Sequence, residues 1–478
     1  MKNVLIIIAG LALSGVCRAM EPDSVCSVMS EMEITAEAVT TPVPDTVPDK
    51  WTYGDCVDWA LANNTDIRRS LLSVLLADED IASAKDAWLP EVSFSTNHSF
   101  TNFPSPENNS QANVYNSSYG INAGWTVWEG NVRKYRLESA RLIRDQQLLA
   151  GEDVVKNLKL AILQAYLDIM YSEEAVEIAS RTLETSTSQF ERAAKLTEAG
   201  RSSSVDLAQI ESQMAQDRYG LVQAESNLAT ARMALKKILM LGLDSEIEIV
   251  SSGFTDEEVL ALPPAKDEVF AAAVAWLPEF KSNRLSKEVY DYDIKIAKAG
   301  RLPKITLQGS VGTGYASGGR SWATQMGKAF NENVGVSLSI PIFDANATKR
   351  AVAKARLASL DYDLTDREQL ENLAQTVESL YVESRNAREK YLAGIKQLEA
   401  AEATSALVDR QFELGLVNPL ELLTAHNDLL NARLTQLQNK YMAILSGKTI
   451  GFYATSDVTM PGSAETDVIN KAPFPKNC

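Results

Sequence analysis

The sequence has few of the residues on which metal and nucleophilic sites usually depend. Its 478 residues include two histidines, His98 and His426, and four cysteines. The histidines lie in unrelated contexts, and the cysteines do not have the spacing of metal ligands. Carboxylates are plentiful, but nothing in the pattern singles out a catalytic pair. The sequence therefore predicts no enzyme, no bound metal and no cofactor.

The sequence also lacks an excess of positive charge and long apolar runs. Its formal net charge is −17, which argues against a nucleic-acid partner. Residues 1–19, with the apolar run Val4–Leu13 and small residues ending at Ala19, are typical of a secretory signal peptide. Lipidation at Cys17 is a less favoured alternative to cleavage after Ala19. No later stretch reaches about 18 uninterrupted apolar residues, so strands would make any membrane crossing after export.

Both ends of the exported chain are expected to be loosely structured. Residues 20–50 are acidic and rich in proline, which predicts a flexible leader, and residues 453–478 are interpreted as a loose C-terminal tail. Cleavage at Ala19 leaves three cysteines, Cys26, Cys56 and Cys478. Their odd number and wide separation define no disulfide framework.

Two regions alternate strictly between apolar and small polar residues, which is typical of half-buried strands. Residues 90–128 and 303–342 each predict a β-hairpin, the second with strands through Tyr315 and from Val334 to Ile342, joined by a loop over Ala316–Glu332. Strands of about 9–11 residues can cross a bilayer when tilted. The competing interpretation is two hairpins packed on a soluble core.

Long stretches without proline predict unusually long helices over Val132–Ala199 and Thr348–Leu414. Each would be roughly 100 Å long, which is typical of a coiled-coil rod. Shorter helices are predicted over Tyr53–Trp88, from the N-cap Ser203 to Leu241, over Asp267–Gly300, and from the N-cap Asn418 to about Ser446.

The order of elements is the same in both halves of the chain. Asn131 and Asn346 are 215 residues apart, and so are Gly200 and Gly415, which indicates an internal duplication. The predicted units are repeat 1 at residues 51–243, an inter-repeat segment at 244–266 and repeat 2 at 267–452. Each long helix is about as long as the two short helices of its repeat together, so the short helices could stack end to end along it.

Four strands are too few for a closed barrel, since closed barrels start at about eight. An open sheet edge in lipid leaves backbone groups unpaired, at several kcal/mol each. The chain is therefore expected to oligomerise, so that each copy contributes four strands to one shared barrel; three copies would give twelve strands, and their helices would continue the barrel as a tube. The predicted fold is mainly α, with a transmembrane β-barrel and a helical tunnel.

Residues 51–452 resemble the TolC family of outer-membrane efflux proteins. The resemblance is carried by the duplicated pattern, by Pro341-Ile342-Phe343-Asp344 before the long helix, and by the turns Gly200-Arg201 and Gly415-Leu416-Val417. It implies a trimeric channel-tunnel in outer-membrane lipid with its helical tunnel in the periplasm, and an equatorial region formed partly by residues 244–266. It also implies the exit duct of a tripartite efflux or type I secretion system, docked to a periplasmic adaptor and an inner-membrane pump of RND, ABC or MFS type.

The resemblance also implies roles for residues at the periplasmic tips and at the membrane. The family's two acidic gate rings fall on Glu421 and on Thr424, which is not an acid, with Asp206 as the repeat 1 counterpart of Glu421. Helix capping is the competing role of the two acids. Adaptor contact is expected at Gly200, Arg201, Gly415, Leu416 and Val417, with helix termination as the alternative role of the two glycines. The aromatic residues Trp125, Trp128 and Phe343 lie at predicted strand ends, where membrane girdles occur, with core packing as the alternative.

A second hypothesis interprets the chain as a trimeric coiled-coil structural protein or adhesin of the cell envelope. It accounts for the long helices but leaves the four alternating strands as soluble decorations. Retention in the outer membrane after salt washing would separate it from the channel. The exported substrate cannot be derived from the sequence.

Overall fold

A computed structural model describes residues 48, 50–104, 113–200, 202–242, 245–250, 253–317, 321–458 and 460. The predicted signal peptide, nearly all of the leader, Arg201, and the cysteines at 26 and 478 lie outside these residues. The helices and strands of repeat 1 are α1 Tyr53–Asn63, α2 Thr65–Asp86, β1 Glu91–Asn102, β2 Asn113–Trp128, α3 Val132–Glu198 and α4 Ser204–Leu239. Those that follow are α5 Asp256–Leu260, α6 Lys266–Trp276, α7 Pro278–Ala299, β3 Lys304–Ala316, α8 Trp322–Lys328, β4 Asn331–Ser339, α9 Ala347–Glu413 and α10 Pro419–Thr455.

The longest helices form two antiparallel pairs. Helix α3 packs along α4 and helix α9 along α10, and we call these pairs helical hairpin 1 and helical hairpin 2. Both long helices have 67 residues, which confirms their predicted length. Gly200 and Gly415 adopt φ values of 70° and 74° where the hairpins turn. Glycine takes this left-handed conformation at little cost, so it ends both long helices as expected.

The short helices stack end to end beside the long ones, as the matching lengths predicted. Helices α2 and α4 both pack on α3. The Trp59 Nε1 and Asn64 Nδ2 groups donate hydrogen bonds to the carbonyls of Leu239 and Ile238, each at 3.1 Å, where α4 ends. In repeat 2, Trp276 Nε1 donates to the carbonyl of Tyr453 near the end of α10, at 2.9 Å. The same junction is therefore built twice, which supports the duplication.

Two of the predicted helices are each divided in the structure. The helix predicted over Tyr53–Trp88 breaks at Asn64, whose backbone is extended and whose Oδ1 accepts a hydrogen bond from the Asp66 N–H at 2.8 Å. The helix predicted over Asp267–Gly300 breaks at Leu277, because the residue before a proline, here Pro278, disfavours the helical conformation. The single-helix predictions were wrong at these two positions.

The last helix is longer than predicted, running to Thr455 instead of Ser446. The ring of Phe452 is 1 % exposed and packs edge-on against Trp276, with ring centroids 5.6 Å apart. Val458 and Met460 are also buried in the core. The first residues of the predicted 453–478 tail therefore belong to the packed body, while 461–478 lie outside the described part of the chain.

The four strands form one antiparallel sheet in the order β1-β2-β3-β4. Phe94 pairs with Ile121, which pairs with Val311 on its other side. Leu307 pairs with Trp125 on one side and with Val336 on the other. Because cross-strand partners point to the same side of a sheet, the apolar residues of all four strands form one continuous apolar side, with Glu332 as a charged exception near the start of β4.

The second β-hairpin differs from its prediction in two details. Strand β4 ends at Ser339, and not at Ile342, because Pro341 has no N–H to continue the ladder. The predicted loop over Ala316–Glu332 contains helix α8. The Thr313 hydroxyl donates to the carbonyl of Met326 at 2.5 Å, which holds α8 against β3.

The largest apolar core lies midway along the long helices. It joins Ile162–Met170 of α3, Leu437–Ile444 of α10 and the inter-repeat segment, where Ile249 and Phe254 are buried. The Tyr391 hydroxyl of α9 donates to Asp256 Oδ1 at 2.6 Å, which ties α5 to this core. The inter-repeat segment thus packs at the middle of the helical body.

The strands connect to the long helices through two left-handed residues in each repeat. These are Gly130 and Asn131 before α3, and Ala345 and Asn346 before α9. In repeat 1 the guanidinium of Arg133, which is 6 % exposed, donates to the carbonyls of Ala87 at 3.1 Å and Val127 at 2.8 Å. The guanidinium carbon of Arg133 lies 4.6 Å from the ring centroid of Trp88. One arginine therefore links helix α2, strand β2 and helix α3.

Candidate functional site

The apolar side of the sheet ends in aromatic residues near the helical body. Trp125 pairs with Leu307, and a register shift after Thr126 makes Trp128 pair with Ile305. The Trp125 indole donates to the carbonyl of Trp88 at 2.9 Å. Phe343 lies beyond the end of β4 and is 82 % exposed. Of the three predicted girdle residues, two lie on the sheet and Phe343 follows it.

A second aromatic cluster, which was not among the predicted girdle residues, lies at the far end of the same side. His98 stacks on Tyr115 and meets Tyr119 edge-on, and Tyr115 contacts Tyr315. The Tyr115 hydroxyl is 2.7 Å from His98 Nδ1. The sequence did contain a signal for this cluster, since aromatic residues lie at the outer ends of three of the alternating segments.

The spacing of the two aromatic clusters fits a membrane. Tyr115 and Trp125 are ten residues apart on β2, which is about 33 Å along a strand. At a strand tilt of about 40° this corresponds to a height of about 25 Å, the thickness of the apolar band of outer-membrane barrels. The opposite side of the sheet is polar, and there the Asn122 amide donates to Ser95 Oγ at 3.1 Å.

At the tip of helical hairpin 1, Asp206 acts as a helix cap. Ser203 Oγ accepts a hydrogen bond from the Asp206 N–H at 3.1 Å, and Asp206 Oδ2 accepts one from the Ser203 N–H at 3.2 Å. These hydrogen bonds from Ser203 hold the pKa of Asp206 below its usual range. The predicted capping box is confirmed, and the carboxylate is engaged at its own helix.

At the tip of helical hairpin 2, Asn418 Oδ1 accepts a hydrogen bond from the Glu421 N–H at 2.9 Å. The Glu421 carboxylate accepts from the Asn418 amide at 3.3 Å and is otherwise exposed. The Thr424 hydroxyl donates to the carbonyl of Leu420 at 2.8 Å. Glu421, Thr424 and Asp428 are all exposed at helical spacing, so they share one face of α10. Asp428 was missed because the resemblance pointed to Thr424 as the second ring position.

The turn of helical hairpin 2 presents apolar side chains. Leu414, Leu416 and Leu420 are between 66 % and 71 % exposed, while Val417 is half-buried. The Leu416 N–H donates to the carbonyl of Gln411 at 2.9 Å, which closes the turn around Gly415. Arg201, at the other turn, lies outside the described residues.

Polar contacts join the two helical hairpins near their tips. Gln189 of α3 donates to Asp409 of α9 at 2.9 Å, and Arg192 pairs with Glu413. The tip helices α4 and α10 meet at Asp217 and His426. These contacts bring together residues of the two repeats that are more than 200 positions apart in sequence.

Within the described part of the chain, no helix is long and apolar enough to cross a membrane. The same residues contain no group of three or more His, Cys, Asp or Glu side chains that could hold a metal ion.

The sequence profile of the outer membrane efflux protein family matches residues 56–240 and 272–446, one segment for each repeat. The chain belongs to this family. Its relatives include the outer membrane efflux protein BepC of Brucella suis, 21 % identical over 393 residues, which cover 81 % of each chain. Protein CyaE of Bordetella pertussis is 24 % identical over 427 residues, covering 86 % of this chain and 87 % of CyaE.

Comparison of structures leads to the same fold. The crystal structure of CusC, described as a transmembrane channel, superimposes with a TM-score of 0.69 at 18 % identity and covers 84 % of this chain and 91 % of CusC. The predicted fold class is therefore confirmed as that of the TolC-like channel-tunnels.

Proposed function

We propose that this chain is the outer-membrane exit duct of a tripartite efflux or type I secretion system, acting as a homotrimer and passing its substrate passively. The observation that carries the proposal is the sheet. Its four strands have one continuous apolar side with an aromatic cluster at each end, and one polar side. Three such sheets closed into a twelve-stranded barrel would face lipid outward and water inward.

The edges of the sheet support a closed oligomer. Within the described residues β1 and β4 each pair with a strand on one side alone. In a lipid environment such edges would cost several kcal/mol for each unpaired backbone group. Strand β1 of one copy pairing with β4 of the next, antiparallel like the other strands, satisfies both edges at once.

The competing interpretation as a coiled-coil adhesin or scaffold leaves this sheet without a role. It does not account for exposed valine, leucine and phenylalanine side chains along one side of a long sheet, such as Phe94 at 68 % and Val334 at 74 %. Exposed apolar patches of this kind mark a lipid or protein contact.

The tips provide a gate and a docking surface in this proposal. Three copies of Glu421 brought near one axis would form an acidic ring favouring cations. Asp428, two turns further along the same face of α10, would supply a second acidic ring in place of Thr424. Asp206 serves mainly as a cap. The exposed turn residues Gly415 and Leu416, with Gly200, Arg201 and Val417, would contact a periplasmic adaptor linked to an inner-membrane pump.

The test is ion conduction by two variants of neighbouring residues on β2. Ile121→Arg places a charge on the apolar side, where it would cost about 2–4 kcal/mol at the bilayer midplane, so we expect little or no insertion and no conductance. Asn122→Arg places the same charge on the polar side, so we expect insertion to persist and cation preference to fall. Both are measured in planar lipid bilayers beside the wild type.

Equal effects of the two variants would contradict the assignment of the two sides. Wild-type protein that extracts from membranes with salt and conducts no ions would contradict the channel itself.

A further inference from the structure

Basic side chains are concentrated where the helical body meets the sheet. The chain has a formal net charge of −17, yet residues 130–137, 295–303 and 345–360 contain ten Lys and Arg and no Asp or Glu. These segments contain the start of α3, the end of α7 and the start of α9. The six exposed cations of these segments that lie nearest the sheet are called the basic belt: Lys134, Arg136, Lys298, Arg301, Lys349 and Arg350.

The first turns of α3 and α9 have an unusual charge for helix starts. The N-terminus of a helix carries a partial positive charge, which favours acidic residues there and disfavours basic ones. Every other described helix of eleven or more residues has an acid in its first turn. Helices α3 and α9 have none there and place Lys134 and Lys349 at the third helical position. This exception occurs in both repeats and opposes helix formation, so helix stability does not explain it.

The belt has no counter-charge within the protein. Among the described residues, none of the six side chains forms an ion pair or a hydrogen bond. The acids that precede the two long helices are already engaged, Glu129 by Lys304 at 3.6 Å and Asp344 by a backbone N–H of α9 at 2.8 Å. Farther along α3 the cations are paired again, as Arg141 is with Glu138 at 3.2 Å. The unpaired cations are therefore confined to the end of the helical body beside the sheet.

In the proposed barrel the belt lies at the depth of lipid head groups. Arg136 is the fifth residue of α3 and Arg350 the fourth of α9, so both lie within about 6 Å of the helix starts. Trp128 and Phe343 precede these helices at the boundary of the apolar side. The head-group region of a bilayer extends about 6 Å beyond the hydrocarbon on each side. The belt thus continues the lipid-facing side of the sheet into the head-group layer.

The geometry of α3 places part of the belt on the outer face of the helical body. Near its start, α3 lies between α2 and α7 and contacts both. Its two exposed faces are therefore the inner and outer faces of the proposed tube. Lys134 and Arg136 are both exposed and are separated by about 200° around the helix. One of the two therefore lies on the outer face, beside the lipid.

We propose that the basic belt binds the anionic head groups of phospholipids at the periplasmic surface of the outer membrane. The inference rests on the proposed channel function and specifies the lipid that the barrel selects. Each Lys or Arg close to an anionic lipid surface strengthens association about fivefold. Bound phosphates would also supply the negative charge that the first turns of α3 and α9 lack. In the assembled channel the belt would surround the wall below the apolar band and fix its depth in the membrane.

The test measures which lipid the protein retains at its surface. Protein is reconstituted in phosphatidylcholine vesicles that carry a trace of spin-labelled phosphatidylglycerol or spin-labelled phosphatidylcholine, and the motionally restricted fraction of each label is compared. We expect the wild type to prefer phosphatidylglycerol about fivefold at low salt and less than about twofold in 0.5 M NaCl. Replacing Lys134, Arg136, Lys349 and Arg350 by Gln should keep the preference below about twofold at both salt concentrations. A wild type without preference, or a preference that persists in this quadruple variant, would overturn the proposal.

Two double variants test whether the position of the charges matters. Lys349→Gln with Arg350→Gln removes one lysine and one arginine from the belt. Arg385→Gln with Lys390→Gln removes the same charges from exposed positions about 50 Å farther along α9. The first variant should at least halve the preference, and the second should leave it unchanged. Equal losses would show a response to net charge alone and would contradict the belt.

Stability in detergent separates lipid binding from a structural role. Without phospholipid, the quadruple variant should unfold at the same denaturant concentration as the wild type or at a higher one, because the first turns of α3 and α9 lose a repulsive charge. A lower midpoint would assign these cations to the fold and overturn the proposal.

The lipid measurement also separates this inference from the proposed function. Wild-type protein that restricts neither label is not inserted in the bilayer, and the proposed channel function then fails together with the inference. Wild-type protein that restricts both labels equally is inserted without selecting a head group, and the inference alone fails.

Discussion

The two repeats share one architecture, yet they fix the junction between sheet and helix in different ways. In repeat 1 the left-handed pair is Gly130-Asn131, and the buried Arg133 side chain stabilises the junction through its hydrogen bonds to two backbone carbonyls. In repeat 2 the pair is Ala345-Asn346, and Asp344 Oδ2 accepts a hydrogen bond from the Thr348 N–H at 2.8 Å. Arg133 and Thr348 occupy equivalent positions, 215 residues apart. A duplicated backbone has thus been stabilised by a buried cation in one copy and by a helix cap in the other.

Among substitutions at the two junctions, we expect the one at Arg133 to change the free energy of unfolding most. Arg133→Ala leaves the carbonyls of Ala87 and Val127 without their donor and removes the contact with Trp88, so we expect a loss of about 3 kcal/mol in the free energy of unfolding. Thr348→Ala is the matched substitution in repeat 2 and should cost less than about 1 kcal/mol. Denaturant unfolding in detergent measures both. Equal losses would show that Arg133 has no special role.

A second prediction concerns substitutions of the left-handed residues Gly130 and Ala345. Gly130→Ala puts a Cβ 2.8 Å from Leu302 Cδ1 at a φ of 64°, so we expect a cost of about 2 kcal/mol. Ala345→Gly relieves an alanine at φ 51° and should stabilise the protein by up to about 1 kcal/mol. The same unfolding measurement applies, and changes of the same sign in both variants would contradict the strain argument.

The hairpin tips differ in the same manner, since the Asp206 carboxylate is engaged by Ser203 while that of Glu421 is mostly exposed. Glu421→Gln should raise single-channel conductance about twofold and weaken block by divalent cations, because an acidic ring binds cations in the pore. Asp206→Asn should leave conductance unchanged. Conductance that does not change in Glu421→Gln would leave the Glu421 carboxylate with its contact to the Asn418 amide alone.

The smallest effect is expected where the repeats place different small residues in the same pocket. Cys56 and Ala273 are both fully buried. Each lies three residues before a tryptophan, Trp59 or Trp276, whose indole donates to a carbonyl near the C-terminal end of α4 or α10. Burial, with Asp55 nearby, raises the pKa of the Cys56 thiol to about 12. We therefore expect no alkylation of Cys56 at pH 8 in the folded protein, and a cost below about 1.5 kcal/mol for Cys56→Ala. Rapid alkylation without unfolding would contradict this.

The elements with a strong local signal could be predicted from the sequence. Periodicity gave both 67-residue helices and the alternation of the strands, and the 215-residue repeat gave the order of elements. The breaks at Asn64 and Leu277 were missed because apolar periodicity continues across them, although each has a local signal: Asn64 caps the helix that follows it, and Pro278 disfavours the helical conformation at Leu277. The end of α10 was missed because Phe452 is held by Trp276, a residue of a distant helix.

The candidate site was less predictable for the same reason. Capping at Ser203 and Asn418 is local and was predicted, whereas the contact of Asp217 with His426 joins residues 209 positions apart. The outer aromatic cluster depends on strand register, which places His98 beside Tyr115 and Tyr119. Neither arrangement has a signature in the residues that flank it.

The stoichiometry of the assembly tests the central claim most directly. Native mass spectrometry of the protein extracted from outer membranes should give a complex of three copies, because the edges of β1 and β4 are satisfied when three sheets close together. A stable, water-soluble monomer as the dominant species would contradict the account.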